Sequence, residues 1–152
     1  MTVADRLAEL GIELPAVAAP VAAYVPAVVH GDLVYTSGQL PFSGGALPST
    51  GKVGAEVSAE DANLYARTCA LNALAAAADA AGGLDRIAGV LRVGGFVAST
   101  PDFTGQPGVI NGASNVLGEI FGDAGRHARA AVGVPVLPLD SPVEVEVTFI
   151  LA

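Results

Sequence analysis

One long helix constrains the fold of this chain more than any other segment. A helix is predicted from Ala59 to Ala81, because Ser58 can cap its first turn and Asp61 follows three residues later. The helix is predicted to end at Gly82-Gly83, because glycine readily adopts the backbone conformation that follows a helix. The stripe expected to be apolar and buried comprises Leu64, Leu71, Leu74 and Ala78. A helix with one apolar stripe needs a second layer of structure to cover that stripe.

Segments rich in β-branched residues flank this helix and predict a sheet. Before the helix, Ala22 to Val29 and Leu33 to Ser37 surround His30-Gly31-Asp32, a pattern typical of a hairpin. After it, a strand is predicted from Ile87 to Ser99. Gly94-Gly95 inside that strand indicates a bulge or a close approach of another group to the backbone.

The last third of the chain adds one helix and two strands. The helix is predicted from about Val109 to Phe121, and the strands from His127 to Val132 and from Val143 to Leu151. A short helix, started by a capping box at Thr2, opens the chain. The order β-β-α-β-α-β-β after this short helix predicts a single α+β domain over residues 1–152, with two helices on one face of a sheet.

Composition favours burial between subunits. The chain has 152 residues and is 52% hydrophobic but only 14% charged. A monomer of this size buries only about two-thirds of the surface that its unfolded chain exposes. The surplus of apolar residues therefore favours an oligomer. An alanine-rich composition, which raises the hydrophobic fraction without much burial, remains an alternative.

Charge and cysteine content exclude several classes of function. The formal net charge is −8, and the seven Lys and Arg residues are scattered, whereas nucleic acid binds clustered cations. The N-terminus lacks the features of a signal peptide, and no apolar run is long enough to span a membrane. A single cysteine, Cys69, and two distant histidines offer no metal site. We expect a cytoplasmic protein that binds no nucleic acid, membrane or metal.

The last two strands carry the most informative polar residues. Period-two alternation places Arg129 on one face of its strand, and it places Glu144 and Glu146 together on one face of the next. A guanidinium can bind a carboxylate at two points, and a glutamate can orient a water molecule as a general base. The alternative interpretation is a salt bridge between Arg129 and one of these glutamates, formed either between strands or between subunits.

Three segments resemble the YjgF/RidA family of reactive-intermediate (imine) deaminases, whose members also carry the label endoribonuclease L-PSP. They lie in the family's order within about residues 18–152, and they read Tyr35-Thr36-Ser37-Gly38-Gln39-Leu40-Pro41, Ala66-Arg67…Ala70-Leu71-Asn72 and Ala128-Arg129…Leu137-Pro138…Val143-Glu144-Val145-Glu146. The resemblance implies a chorismate-mutase-like fold that assembles as a homotrimer around a central barrel. It also implies a ligand cavity at each subunit interface.

The activity implied by the resemblance is the hydrolytic deamination of 2-imino or enamine acids to 2-keto acids and ammonia, without a cofactor. The resemblance assigns the substrate carboxylate to Arg129 and the hydrolytic water to Glu144. It further assigns substrate binding to Tyr24, Ser37, Gly38 and Asn111. Without that function, Tyr24 would be an interface packing residue and Ser37 a turn hydroxyl.

The chain departs from the family pattern in three places. Ala131 stands where many deaminase-active relatives have cysteine, residues 1–18 form an N-terminal extension, and Thr104 to Gly125 is longer and richer in glycine. A non-catalytic trimer that binds a small carboxylate is therefore the second hypothesis. An endoribonuclease is disfavoured by the net charge of −8.

Overall fold

A computed structural model describes residues 1–17 and 23–152 of the chain as three helices and five strands. The helices are α1 (Val3–Leu10), α2 (Ala59–Ala81) and α3 (Gln106–Phe121), and the strands are β1 (Ala27–His30), β2 (Leu33–Thr36), β3 (Ile87–Ala98), β4 (Ala128–Val134) and β5 (Val143–Leu151). This order confirms the predicted β-β-α-β-α-β-β arrangement after a short first helix. The part of the first predicted strand at Ala22 lies outside the described residues.

The five strands form one sheet in the order β1-β2-β5-β3-β4. Every neighbouring pair is antiparallel except β3 and β4, which are parallel because α3 crosses over between them. The last strand of the chain therefore lies in the middle of the sheet, and β4 lies at its edge. The connections place residues from distant parts of the sequence side by side.

Helices α2 and α3 cover one face of the sheet, and the rest of residues 1–17 and 23–152 leaves the other face largely uncovered. Val143, Val145, Val147 and Phe149 alternate along β5 toward the helices and are buried. On the uncovered face, Val28, Tyr35 and Val132 are exposed to 52%, 47% and 45%. This uncovered face is called the open face below. The prediction that both helices pack on one sheet face is confirmed.

The ends of α2 are confirmed, but its predicted buried stripe is partly wrong. Ser58 accepts a hydrogen bond from the Asp61 amide, and Gly82 ends the helix in the left-handed region at φ 87°. Leu64, predicted to be buried, is 59% exposed, and Ala78 is only half-buried. The buried face consists mainly of small residues, which let the helix lie close to its neighbours: Ala62, Ala66, Cys69, Ala70, Ala73, Leu74 and Ala77.

One helix boundary and one local prediction also need correction. Helix α3 begins at Gln106, earlier than predicted, because Pro107 is compatible with a first helical turn. The bulges of β3 lie before Arg92 and not at Gly94-Gly95. Gly95 instead provides the close approach, since a Cβ there would lie 2.5 Å from the Ile110 Cγ1. A larger residue would push α3 away from the sheet.

Helix α1 attaches the N-terminal segment to α3. The predicted capping box is present, with the Thr2 side chain accepting from the Asp5 amide and the Asp5 carboxylate accepting from the Thr2 amide. The Arg6 Nε donates to the Glu119 carbonyl at 2.8 Å, which links α1 to the end of α3. Within residues 1–17 and 23–152, no helix is long and apolar enough to cross a membrane.

Candidate functional site

Arg129 lies on the edge strand β4, on the face of the sheet that the helices cover. Val93 pairs with both Arg129 and Val147, so these three side chains share a face. The Arg129 Nη1 donates to the Ser114 Oγ at 3.1 Å, and its Nη2 donates to the Pro107 carbonyl at 3.2 Å. A guanidinium has five N–H donors, so these two bonds leave three donors for a ligand.

Ser114 and His127 continue the hydrogen-bond chain from Arg129. The Ser114 Oγ lies 2.9 Å from the His127 Nε2, and the His127 Nδ1 lies 2.7 Å from the Gly125 carbonyl oxygen. A carbonyl only accepts, so Nδ1 carries the hydrogen, and Nε2 of the neutral ring accepts from the serine hydroxyl. Sequence reasoning assigned no role to either residue. The sequence did offer one signal for Ser114, which is its helical spacing from Pro107. That spacing has meaning only if the helix already includes Pro107, and the predicted helix began later.

Asn111 lies on the same side of α3 as the residues that bind Arg129. Pro107, Asn111 and Ser114 are spaced by four and three residues, which places them in one row along a helix. Asn111 is exposed, whereas Ser114 is half-buried. Ala131 shares the Arg129 face of β4, because it pairs with Gly95. Arg129, Ser114, His127 and Asn111 form a polar group at the sheet edge, and this group is called the arginine group below.

Glu144 lies on the open face, near the middle of the sheet. It pairs with Phe96, which in turn pairs with Val132, and Val132 is exposed on that face. Burial raises the pKa of the Glu144 carboxyl, and the neighbouring negative charge of Glu146 raises it further. Both effects disfavour the ionised carboxylate. Glu144 therefore combines a half-buried position with a stronger affinity for protons than an exposed glutamate has.

Gly38 lies against Glu144, and its neighbour Ser37 is linked to the segment that follows Tyr24. A Cβ at Gly38 would lie 2.5 Å from the Glu144 Oε2, so only glycine leaves room for the carboxylate in this position. The Ser37 Oγ donates to the Val25 carbonyl at 2.7 Å, which ties the segment that follows Tyr24 to the end of β2. Tyr24 itself is 59% exposed. Tyr24, Ser37, Gly38 and Glu144 are called the glutamate group below.

The chain does not bring the arginine group and the glutamate group together. Arg129 and Glu144 project from opposite faces of the same sheet. In the part of the chain that the structure describes, Arg129 forms no ion pair, and the Arg92 Nη1 lies 3.7 Å from the Glu146 Oε1. The alternative interpretation of an Arg129 salt bridge to Glu144 or Glu146 is therefore wrong within one chain.

The described residues contain no cluster of three or more His, Cys, Asp or Glu side chains that could hold a metal ion. Cys69 is fully buried, and this burial raises the pKa of its thiol. A buried thiol with a raised pKa is a poor nucleophile. The chemistry-bearing groups at hand are thus a guanidinium, hydroxyls, an imidazole and carboxylates.

Comparison with known proteins assigns the chain to a family. The family model described as "YjgF/chorismate mutase-like, putative endoribonuclease" matches residues 4–150. Protein TCP17 of Trypanosoma cruzi is 45% identical over 145 residues, which cover 95% of this chain and 91% of that protein.

Two solved structures have a closely similar fold. The protein Atu1372 of Agrobacterium tumefaciens, described as of unknown function, is 44% identical, with a TM-score of 0.90 over 99% of this chain and 92% of that one. A protein of Shewanella oneidensis described as "a putative endoribonuclease" is 37% identical, with a TM-score of 0.93 over 99% of this chain and 100% of that one. Since a family model matches almost the whole chain, the protein belongs to the YjgF/RidA family.

Proposed function

We propose that the protein hydrolyses 2-imino or enamine acids to 2-keto acids and ammonia, in pockets between the copies of a homotrimer. The observation that carries this proposal is the separation of two complementary groups. Arg129 has guanidinium N–H donors left for a ligand, and it has no acidic partner among residues 1–17 and 23–152. Glu144, with its raised pKa, lies on the opposite face of the sheet. A second copy can bring one group against the other.

Arg129 binds the carboxylate of the substrate in this proposal. Its two bonds to α3 hold the planar guanidinium in one orientation, and the remaining donors suit the two oxygens of a carboxylate. Binding at that end fixes the distance from the carboxylate to the imine carbon. Orientation of this kind lowers the entropic cost of reaching the transition state.

Glu144 activates the attacking water. The water oxygen bonds to the imine carbon while one water proton passes to the Glu144 carboxylate, and the imine nitrogen, which receives the electron pair of the C=N π bond, takes up a proton from solvent. The Glu144 carboxyl then returns its proton to the amine nitrogen of the tetrahedral intermediate. The C–N bond breaks, ammonia leaves, and the remaining hydroxyl loses its proton to solvent as it becomes the carbonyl of the keto acid. A general base works best when its pKa approaches the operating pH, and burial moves the pKa of Glu144 in that direction.

The open face and the free edge of β4 are the surfaces proposed to meet in the trimer. Val28, Tyr35 and Val132 give the open face an apolar character that a single chain leaves in water. Among the described strands, β4 pairs only with β3, which leaves the backbone groups of its other edge available to a second copy. Tyr24 and Ser37 of the glutamate group then help to enclose the ligand, and Asn111 supplies a polar contact near Arg129.

The second candidate is a non-catalytic trimer that holds a small carboxylate through Arg129. Ala131 favours it, because this position, next to Arg129 on the same face, offers a methyl group and no polar atom. Both candidates predict carboxylate binding, and only turnover separates them. Ribonuclease activity is disfavoured because the net charge of −8 repels a phosphate backbone.

The decisive test is turnover of 2-imino acids generated in situ by an amino-acid oxidase, measured as the rate of keto-acid release. Wild type should accelerate release, and Arg129→Ala should reduce kcat/KM by about 10- to 100-fold, since one charge-assisted interaction is lost. Glu144→Gln should reduce kcat by about 100-fold or more. Arg126→Ala is the matched control, because its side chain is exposed and its acidic partner within the described part of the chain is Asp123. No acceleration by wild type, with keto-acid binding retained, would favour the carboxylate binder.

The shared pocket has a sharper test in mixtures of two strongly impaired variants. Arg129→Ala and Glu144→Gln chains are unfolded together and refolded as mixed trimers. If each pocket takes Arg129 from one copy and Glu144 from another, random mixing restores about a quarter of the pockets. Activity should therefore return in the mixture and not in either variant refolded alone. Persistent inactivity of mixed trimers would mean that both residues must come from the same copy.

A further inference from the structure

We propose that Ser114 and His127 are positioning residues that hold the Arg129 guanidinium ready for a carboxylate ligand. This inference rests on the proposed carboxylate binding by Arg129. Neither Ser114 nor His127 lies within the three segments that resemble the family. Their hydrogen bonds nevertheless form one continuous chain from the Gly125 carbonyl through the imidazole and the serine hydroxyl to the guanidinium.

The direction of each hydrogen bond follows from the chemistry of its ends. The Gly125 carbonyl must accept, so the His127 Nδ1 donates to it at 2.7 Å. The Nε2 of the neutral ring then accepts from the Ser114 hydroxyl at 2.9 Å. With its hydrogen engaged by His127, the Ser114 oxygen presents its lone pairs, and the Arg129 Nη1 donates to it at 3.1 Å. His127 thus determines which way the serine faces.

Without the histidine, the serine has another partner available. A serine inside a helix commonly donates to the carbonyl one turn earlier, here that of Ile110. Such a bond would turn the hydroxyl along α3 and away from the His127 ring. His127 competes for that hydrogen and keeps the acceptor side of Ser114 toward the guanidinium. The Pro107 carbonyl provides a second, independent anchor for Arg129 at 3.2 Å.

Anchoring at two points lowers the cost of ligand binding. An arginine side chain has several rotatable bonds, and immobilising them on binding costs free energy. In this protein, folding already immobilises the guanidinium against α3. Because the carboxylate is bound alike in the substrate and the transition state, loss of an anchor should raise KM and leave kcat nearly unchanged.

The first test measures the dissociation constant of 2-oxobutanoate, a 2-keto acid, by calorimetry, together with KM and kcat for imine turnover. Ser114→Ala should raise Kd and KM about tenfold, as expected for a lost hydrogen bond to a charged group, with kcat within about twofold. Ser114→Thr keeps the hydroxyl and should restore most of the affinity. Ser43→Ala is the matched control, because Ser43 lies in an exposed loop.

The histidine is tested in the same way. His127→Ala should raise Kd and KM by about threefold to tenfold, and His127→Gln, whose amide oxygen can still accept from Ser114, should restore them. Ser43→Ala serves again as the control, since Ser43 lies in an exposed loop. In the double variant Ser114→Ala/His127→Ala, Kd should be no higher than in Ser114→Ala alone, because His127 acts through Ser114.

A spectroscopic measurement tests the positioning without any ligand or turnover. In nitrogen-15 NMR, an anchored Arg129 guanidinium rotates slowly about its Nε–Cζ bond and gives separate Nη signals. Ser114→Ala and His127→Ala should merge those signals, whereas the control variant Ser43→Ala should not. Merged signals together with a raised Kd support the inference even if wild type turns over no imine, in which case only the proposed reaction fails. Unchanged signals and unchanged Kd, or a lowered kcat with unchanged KM, would overturn it.

Discussion

Glu144 owes its properties to its immediate surroundings more than to its place in the sequence. Its carboxylate lies against the Gly38 backbone, is half-buried, and has Glu146 two residues away on the same face. Burial and the neighbouring charge both raise its pKa. The folded protein therefore binds a proton at this carboxyl more tightly than the unfolded chain does, and the ionised form destabilises the fold.

Glu144→Gln should consequently raise the free energy of unfolding at pH 7. Below the ordinary glutamate pKa of 4.5, the carboxyl is protonated in both folded and unfolded states, so the gain should vanish there. As the pH rises through the raised pKa of the folded state, the wild type loses stability and the gain appears. Urea unfolding at pH 4 and at pH 7 measures this difference. Glu13→Gln, at an exposed position, is the control and should show no comparable dependence on pH.

Sequence reasoning found some residues of the candidate site and missed others for a physical reason. Arg129 and Glu144 stood out because strand alternation fixes the face of each side chain and a family signature marks both positions. Ser114 did not, because its contact with Arg129 depends on how α3 is rotated about its axis. That rotation follows from packing, for instance of Ile110 on Gly95, which no local pattern reveals.

At the scale of elements, α2 and α3 pack unusually closely around one glycine. A Cβ at Gly112 would overlap the Asn63 carbonyl oxygen of α2. The Asn63 side chain in turn donates to the Gly108 carbonyl at 2.9 Å, which joins the two helices at the same place. The caps of α2 could be predicted from sequence because they are local. The buried face of α2 could not be predicted in the same way, because it depends on alanines that allow this close packing and leave the Leu64 side chain exposed to solvent.

Two glycines of α3 should therefore respond oppositely to replacement by alanine. Gly112→Ala should lower the free energy of unfolding by about 1–3 kcal/mol, because α2 and α3 must separate. Gly118→Ala should raise it by about 0.5–1 kcal/mol, because a Cβ there meets nothing within 4 Å and alanine favours the helix. Chemical unfolding of both variants checks the two signs. A loss of stability in Gly118→Ala would contradict this account of the helix packing.

At the scale of the whole molecule, the two faces of the sheet differ in how much of their surface is covered. The helices cover one side of the sheet, while the open face carries exposed Val28, Tyr35 and Val132. The fold class could be predicted because the order of helices and strands is local information. The placement of Arg129 and Glu144 on opposite faces could not, because it depends on the registers that join β4 and β5 through β3.

A charge on the open face should prevent assembly if the proposed trimer uses that face. Val28→Asp should therefore shift the protein to monomers and abolish turnover, because desolvating an unpaired carboxylate in an interface is costly. Leu64→Asp is the matched control, since Leu64 is 59% exposed and Val28 52%, but Leu64 lies on α2. Sedimentation velocity of both variants gives the assembly state. A trimer formed by Val28→Asp would exclude the open face as the interface.

Because a full sheet separates Arg129 from Glu144 within each copy, a substitution beside one group leaves the contacts of the other group in that copy intact. Substitutions that share no contacts have nearly additive effects on free energy. Changes at Ala131 or Asn111 therefore leave the surroundings of Glu144 in the same copy unchanged. In the proposed trimer the two groups meet across the interface, so a substitution beside Arg129 acts on the Glu144 of the neighbouring copy and not on that of its own.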